Sequence, residues 1–412
     1  MLRLFEAFGI ELEYMLVYAA TLDVAAQADW LLAEAAGAIT GEYSSGPLAW
    51  NNELALHVIE FKLAEPSSTL TGVAPLFQAD IGAANALLAR RAMRLMPGGM
   101  HPWMDPVGEL HLWPHDNREV YAAFDRIFSC KGHGWANLQS MHLNLPFEGE
   151  AEFGRLHAAI RFLLPILPGL AASSPVMDGQ LTGCADNRLA VYATNCVRIP
   201  SVTGALVPEA VFGIDAYRRE VLERIQGDLM AHDPEGVLAA EWVNARGAIP
   251  RFERMAIEIR VLDVQECPMM DLAYASLIVA ALRALCVESW ADHAALAGWR
   301  TEDLARLLRV VIEGAETAEI NDGRYLAALG YRGRHASVAQ VWGHLADHAA
   351  AGGQLDTAAE RAIEHYLRHG SLATRISAAL PAEPDRAALQ RVYAELCACL
   401  AEGRPYAPRI TG

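Results

Sequence analysis

Residues 9–17 read Gly-Ile-Glu-Leu-Glu-Tyr-Met-Leu-Val, and this alternation constrains the fold more than any other stretch. A period of two predicts a strand, with Ile10, Leu12 and Tyr14 on one face and Glu11 and Glu13 on the other. Carboxylates two residues apart on one strand face stand about 6–7 Å apart and repel each other. A cation between them removes the repulsion; a wet polar face would tolerate it. The apolar face has to be covered by other elements, so the chain is committed to a sheet with one polar and one packed side.

Three further stretches repeat the pattern. Residues 51–62 predict a second strand, on which Glu60 shares a face with Leu54, Leu56 and Val58. A carboxylate on so apolar a face needs a partner. Glu53 falls on the opposite parity and comes back only through a bulge or a strand end. Residues 137–145 place Ser140, His142 and Asn144 opposite Gln139, Met141, Leu143 and Leu145. Residues 255–263 place Glu258 and Arg260 opposite Ile257, Ile259 and Val261, with Arg246 and Arg251 just upstream.

Helical patterns fall between and after these strands. One runs from a cap at Asp23 to about residue 36. Another opens at residues 66–69 and carries Leu70, Val73, Phe77, Ile81, Ala84 and Leu88 on one face. A third spans 152–172 and is interrupted by Pro165 and Pro168, and a fourth spans 213–230. From residue 268 onward the pattern is helical, in segments 269–287, 301–314, 336–350, 355–380 and 384–402. The expected architecture is α+β: a single domain over residues 1–412, with a sheet-bearing core to about 268, helices closing one face of the sheet, and a helical region from 269.

Composition narrows the chemistry. A net charge of −17 argues against a nucleic-acid surface, and any bound nucleotide needs local positive charge. Lys62 and Lys131 are the only lysines, and there is no G-x-x-x-x-G-K-[ST] loop, so a P-loop ATPase is excluded. The seven scattered cysteines contain no C-x-x-C pair and no zinc spacing, which fits reduced thiols in a cytoplasmic protein. The N-terminus lacks the features of a signal peptide. The apolar segment 269–287 carries Asp271, Ser276 and Arg283, so it is expected in the core and not in a membrane. A homodimer is the default assembly for such a chain.

Carboxylates with one imidazole suit Mg²⁺ or Mn²⁺ better than zinc. Carboxylates with arginines beside them suit a triphosphate bound through metal ions, with Arg260 neutralising a phosphate oxygen. Thr182 to Arg188 is a loop dense in donors that ends in a guanidinium suited to a carboxylate. Gly99-Met100-His101-Pro102 is a tight turn presenting a histidine.

Together the motifs resemble glutamate–cysteine ligase family 2, the bacterial carboxylate–amine ligases of the glutamine-synthetase-like superfamily. They are Gly9-Ile10-Glu11-Leu12-Glu13, Val58-Ile59-Glu60, Gly99-Met100-His101-Pro102, His142-Leu143-Asn144, Ala171 to Pro175 with Thr182-Gly183 and Arg188, and Ile257 to Val264. The resemblance implies a curved, mainly antiparallel sheet whose concave face is a funnel for ATP, Mg²⁺ or Mn²⁺, and amino-acid and amine substrates. It implies that ATP phosphorylates a carboxylate, often that of glutamate, and that an amine, often that of cysteine, forms the amide. Carried over by position, Glu11, Glu13, Glu60, His142 and Glu258 are implied metal ligands. Arg260, Asn144 and Glu13 are implied at the nucleotide, and Arg260 and Arg188 at the reacting groups. Arg188, His101, Glu53 and Arg251 are implied at the substrates. The chain departs from the family where His-x-His reads His142-Leu143-Asn144, and where an Asn-Arg-Trp-like pattern reads Asn321-Asp322-Gly323-Arg324-Tyr325. A homologue that binds without catalysis, and a phosphotransferase on the same scaffold, are the other readings of this pattern.

Overall fold

The structure, a computed structural model, describes residues 2–408. The first strand, β1 (Gly9–Tyr18), lies at the centre of the main sheet. It is followed by β2 (Glu42–Ser45), β3 (Leu48–Asn52), β4 (Val58–Leu63), β5 (Met93–Met96) and β6 (Ser140–Pro146). A separate hairpin is formed by β7 (Val176–Met177) and β8 (Gln180–Leu181), after which β9 (Ala248–Arg251) and β10 (Ala256–Asp263) complete the main sheet. The order is β2-β3-β4-β1-β6-β10-β9, with β5 paired to the far end of β1, and every pairing is antiparallel.

Alternation does what the sequence predicts. Ile10, Leu12, Tyr14, Ile59, Phe61, Met141, Leu143, Leu145, Ile257 and Ile259 are buried on one face. They share one core with Phe77 and Ile81 of the helix Ala74–Leu88, Phe153 and Leu156 of the helix Gly149–Leu163, and Leu277 and Ile278 of the helix Pro268–Cys286. The last of these is long and apolar enough to cross a membrane, yet most of it is buried inside the protein. Pro268 sits in its first turn, where a missing N–H costs nothing.

The opposite face is split. β1 carries Glu11 and Glu13 at its start, but Met15 and Val17 on the same side belong to a second core with Met96 and Val58. Leu372 and Ile376 of the helix Leu372–Ala379, and Leu389, Tyr393 and Leu396 of the helix Arg386–Glu402, cover them. This helical cover is itself pinned by a buried ion pair between Glu266 and Arg375. Tyr406 closes it, its amide donating to Glu266 Oε1 (2.9 Å) and its carbonyl accepting from Arg375 Nη1 (2.8 Å). The C-terminal helices therefore wall off one end of the acidic face.

Several boundaries differ from expectation. The strand expected over 51–62 is two strands, because residues 53–57 leave the ladder; the Leu54 carbonyl accepts from Trp113 N and the Leu56 amide donates to His111 O. The helix expected from Asp23 starts at Ala28, since Asp23 O accepts from Tyr18 N and its carboxylate pairs with Arg386. The helix expected from residues 66–69 starts at Ala74, because Ser67 bridges to Phe8 and Gly72 adopts a positive φ of 80°. The segment 355–380 is broken at Gly370, also at positive φ, where a Cβ would meet the Glu316 carboxylate.

Candidate active site

The register of the central strands builds the site. Glu11 lies opposite Lys62 on β4 and His142 on β6; Glu13 lies opposite Glu60; Asn144 lies opposite Glu258 on β10. With side chains alternating, these residues and Arg260 all project from the face that the helical core leaves free. Glu53 joins them from the turn after β3, where it lines the same cavity as Glu13. Its parity on a continuous strand would forbid this; leaving the ladder permits it.

Hydrogen bonds fix the acids in place. His142 Nδ1 bonds Glu11 Oε2 (2.8 Å), and Asn144 Nδ2 donates to Glu11 Oε1 (3.1 Å). The Ser140 amide and hydroxyl both donate to Glu13 Oε2 (2.7 and 2.9 Å), and the Ser140 hydroxyl also meets His142 Nε2 (3.0 Å). Two sets of donor atoms result, Glu11 with Glu60 and His142, and Glu13 with Glu53 and Glu60; within each set the atoms lie within 4.8 Å of one another. Glu60 belongs to both.

Burial and mutual repulsion oppose the simultaneous ionisation of these acids. Burial pushes the Glu53 carboxyl up to about 8, with Glu13 adding to the effect. Burial, then Glu11, Glu53 and Glu13, drive Glu60 well above the ordinary carboxylate range. Burial opposes ionisation of Glu11 too, but the bond and charge of His142 outweigh it and hold this carboxyl below its usual value. His142 is the counterpart: burial disfavours its charge, Glu11 and Glu13 favour it, and the net shift is upward. Carboxyls that cannot ionise together without help are what a pair of hard divalent cations would neutralise, and the oxygen-rich donor sets fit Mg²⁺ or Mn²⁺.

Next to the acids lies a guanidinium group. Glu258 is 4 % exposed and bound by Arg251 (Nε to Oε2 3.0 Å, Nη2 to Oε1 3.2 Å) and by Arg260 (Nε to Oε1 2.9 Å). Burial works against its charge, but Arg260 and Arg251 hold its carboxyl far below the usual range. Glu258, expected as a metal ligand, stands outside both donor sets and is ion-paired with Arg251 and Arg260. Arg251, expected at the substrates, braces Glu258 and does not line the cavity. Arg188 is 2 % exposed; its Nε pairs with Asp263 and its Nη2 donates to the Arg260 carbonyl (3.3 Å). Asp263 also accepts from Ser173 N (2.9 Å) and Ser174 Oγ (2.8 Å), so the serine run and the Arg188 loop dock on the end of β10.

The Gly99 turn has a different role from the one expected. Its glycine leaves room for Asp263, whose Oδ1 would lie 2.7 Å from an added Cβ, and its amide donates to Ser173 Oγ (2.8 Å). His101 is fully buried, its Nε2 bonds the Leu22 carbonyl (2.7 Å), and burial lowers its pKa to about 3. It is a neutral structural histidine outside the cavity, because the turn directs it into the second core.

Glu13, Glu53, Ser140, His142, Arg188 and Arg260 line one side of a cavity of about 240 Å³. Its other wall was not foreseen: Tyr121, Phe124, Trp135, Tyr192 and Trp242. These aromatics come from three separate segments without periodicity, and only the richness of residues 121–135 in aromatic side chains hints at them. Asn144, expected at a nucleotide, donates its Nδ2 to Glu11 Oε1.

An antiparallel, curved sheet with helices on one face, a helical C-terminal region and carboxylates clustered on the other face defines a glutamine-synthetase-like α+β architecture. The chain belongs to glutamate–cysteine ligase family 2, whose sequence model matches residues 7–395. An uncharacterized protein of Archaeoglobus fulgidus is 37% identical over 256 residues, covering 62% of this chain and 68% of that protein. A protein of a Nocardioides species, provisionally named glutamate–cysteine ligase 2-1, is 32% identical over 40% of this chain, but over only 39% of its own length. A glutamate–cysteine ligase from Francisella tularensis, solved in complex with AMP, has the same fold at a TM-score of 0.58 and 12% identity, over 98% of this chain and 89% of that one.

Proposed function

We propose that this protein is an ATP- and Mg²⁺-dependent carboxylate–amine ligase. The observation that carries the reading is that Glu60 is shared between two donor sets, whose members Glu13, Glu53 and His142 line one open-mouthed cavity with Arg260. Glu11, Glu60 and His142 would hold one divalent cation, and Glu13, Glu53 and Glu60 a second. Bound there, the cations supply Lewis-acid neutralisation of phosphate oxygens. Arg260, held in place by Glu258, presents its guanidinium to the phosphoryl group in transfer. The γ-phosphoryl group moves to a substrate carboxylate oxygen and ADP leaves. The amine nitrogen then attacks the acyl carbon, the carbon–oxygen bond to phosphate breaks with its electron pair, and the nitrogen loses a proton. The aromatic wall would shield one side of the acyl phosphate from hydrolysis by water.

The test is ADP release from MgATP with glutamate and a panel of amines, with mass spectrometry of the product. Amine-dependent ADP release and an amide of the matching mass are expected, and Glu60→Gln should abolish both. A phosphorylated product with no amide would replace the ligase with a phosphotransferase. Nucleotide binding without ADP release across the panel would leave a binding protein, for which Asn144 in the His-x-His position would be the first residue to exchange.

A further inference from the structure

The ligase reading leaves the amine unnamed, and the cavity carries information about it. Its non-acidic wall is aromatic, with Phe124 and Trp135 packed at a centroid distance of 5.3 Å. A cavity of roughly 150 Å³ lined by apolar groups accepts a benzene ring; this one is larger, at about 240 Å³. A side chain as small as that of cysteine would leave much of this wall without contact, and unfilled apolar space forfeits dispersion energy.

The cations give the second, independent argument. Two amino-acid substrates would bring two α-carboxylates into the cavity. Of the two arginines that line it, Arg260 has Nε against Glu258 and Nη1 against Tyr192 Oη (3.4 Å), and the proposed mechanism assigns its remaining N–H groups to the phosphoryl group. Arg188 has its Nε on Asp263 and its Nη2 on the Arg260 carbonyl, which leaves Nη1 as its one edge without a partner among the described residues. That is one anchor for one carboxylate, the donor's.

We infer that the amine substrate is an arylalkylamine: a primary amine with a ring-sized apolar body and no carboxylate. The inference rests on the ligase reading for its chemistry, but its recognition part is tested separately. Phenethylamine and phenylalanine differ only by the carboxylate, and phenethylamine and ethylamine only by the ring. With MgATP and glutamate, kcat/KM from ADP release is expected to be at least tenfold higher for phenethylamine than for phenylalanine, ethylamine or cysteine. Trp242, at the mouth and 59 % exposed, can be changed without threatening the core. In Trp242→Ala the phenethylamine-to-ethylamine ratio should fall at least fivefold.

A preference for cysteine or phenylalanine over phenethylamine would overturn the inference and keep the ligase. Titration calorimetry with Mg²⁺ and no nucleotide separates the other failure. Phenethylamine binding at least tenfold tighter than phenylalanine, with no ADP released from any pair, would keep the arylalkylamine pocket and refute the ligase. Equal or weaker binding of phenethylamine would overturn the pocket assignment whatever the turnover.

Discussion

Glu53→Gln isolates the electrostatic argument better than any other change, because Glu53 sits in a turn and its replacement disturbs no strand pairing. In the wild type its folded-state pKa of about 8 lies above the ordinary value of 4.5. Below about pH 4.5 the group is protonated folded and unfolded, and contributes nothing to pH dependence. Between those two values the unfolded chain has released the proton that the folded state still holds, so stability falls as pH rises. Above pH 8 the penalty is complete. A gap of about 3.5 units at about 1.4 kcal/mol each amounts to a destabilisation on the order of 5 kcal/mol. Relaxation of the neighbouring acids reduces it, so a gain of about 2–5 kcal/mol is expected for Glu53→Gln at pH 9 without metal. The assay is urea unfolding in EDTA at pH 5 and pH 9, repeated with excess Mg²⁺. The variant should be more stable than wild type at pH 9 and close to it at pH 5. Magnesium should then stabilise wild type, by about 2.7 kcal/mol at a hundred times Kd, and stabilise the variant less. A variant less stable than wild type at pH 9 in EDTA, or equal stabilisation of both proteins by magnesium, would refute the account of the acids as a cation site.

Arg260→Lys keeps the charge but loses the planar fork held by Glu258; kcat should fall by about 100-fold with substrate binding retained, as read by ADP release and calorimetry. Gly99→Ala drives a methyl group into the Asp263 carboxylate and should cost about 1–3 kcal/mol in urea unfolding, while also weakening the Arg188 anchor and raising KM for the carboxylate substrate. Leu12→Ala, on the packed face of β1 and fully buried, should cost about 2–5 kcal/mol with no change in KM for any substrate in the protein that remains folded.

What could be read from the chain follows physical locality. Glu11, Glu13, Glu60, His142 and Arg260 were legible because strand alternation is a local rule, and each sits between apolar neighbours that fix its face. Glu53 was only half legible: its approach to the cluster depends on residues 53–57 leaving the ladder to meet the loop at His111 and Trp113, a long-range contact. Glu258 looked identical to the other acids by pattern. Its neighbours across the sheet edge, Arg251 on β9 and Arg260 on its own strand, decide that it binds guanidinium groups. His101 was misread because a glycine-flanked histidine looks presented, whereas the turn packs it against Leu22. The aromatic wall had no periodic signal, since its members meet only after the chain has folded.

The placement of the site depends on register more than on any one acid. Along β1 the same side carries Glu11 and Glu13, then Met15 and Val17, so a single strand contributes both to the acidic cluster and to the seat for the C-terminal helices. Slipping β1 by one residue against β4 and β6 would put every one of its side chains on the wrong face at once. Ile10, Leu12 and Tyr14 prevent this, because they would have to leave the helical core. Glu53 and Glu60 oppose each other's ionisation, and the hydrogen bonds from Ser140, His142 and Asn144 hold only Glu13 and Glu11. The packed face therefore supplies the stability that the open face gives up, and a mutation such as Leu12→Ala draws on the same reserve that keeps Glu13 opposite Glu60.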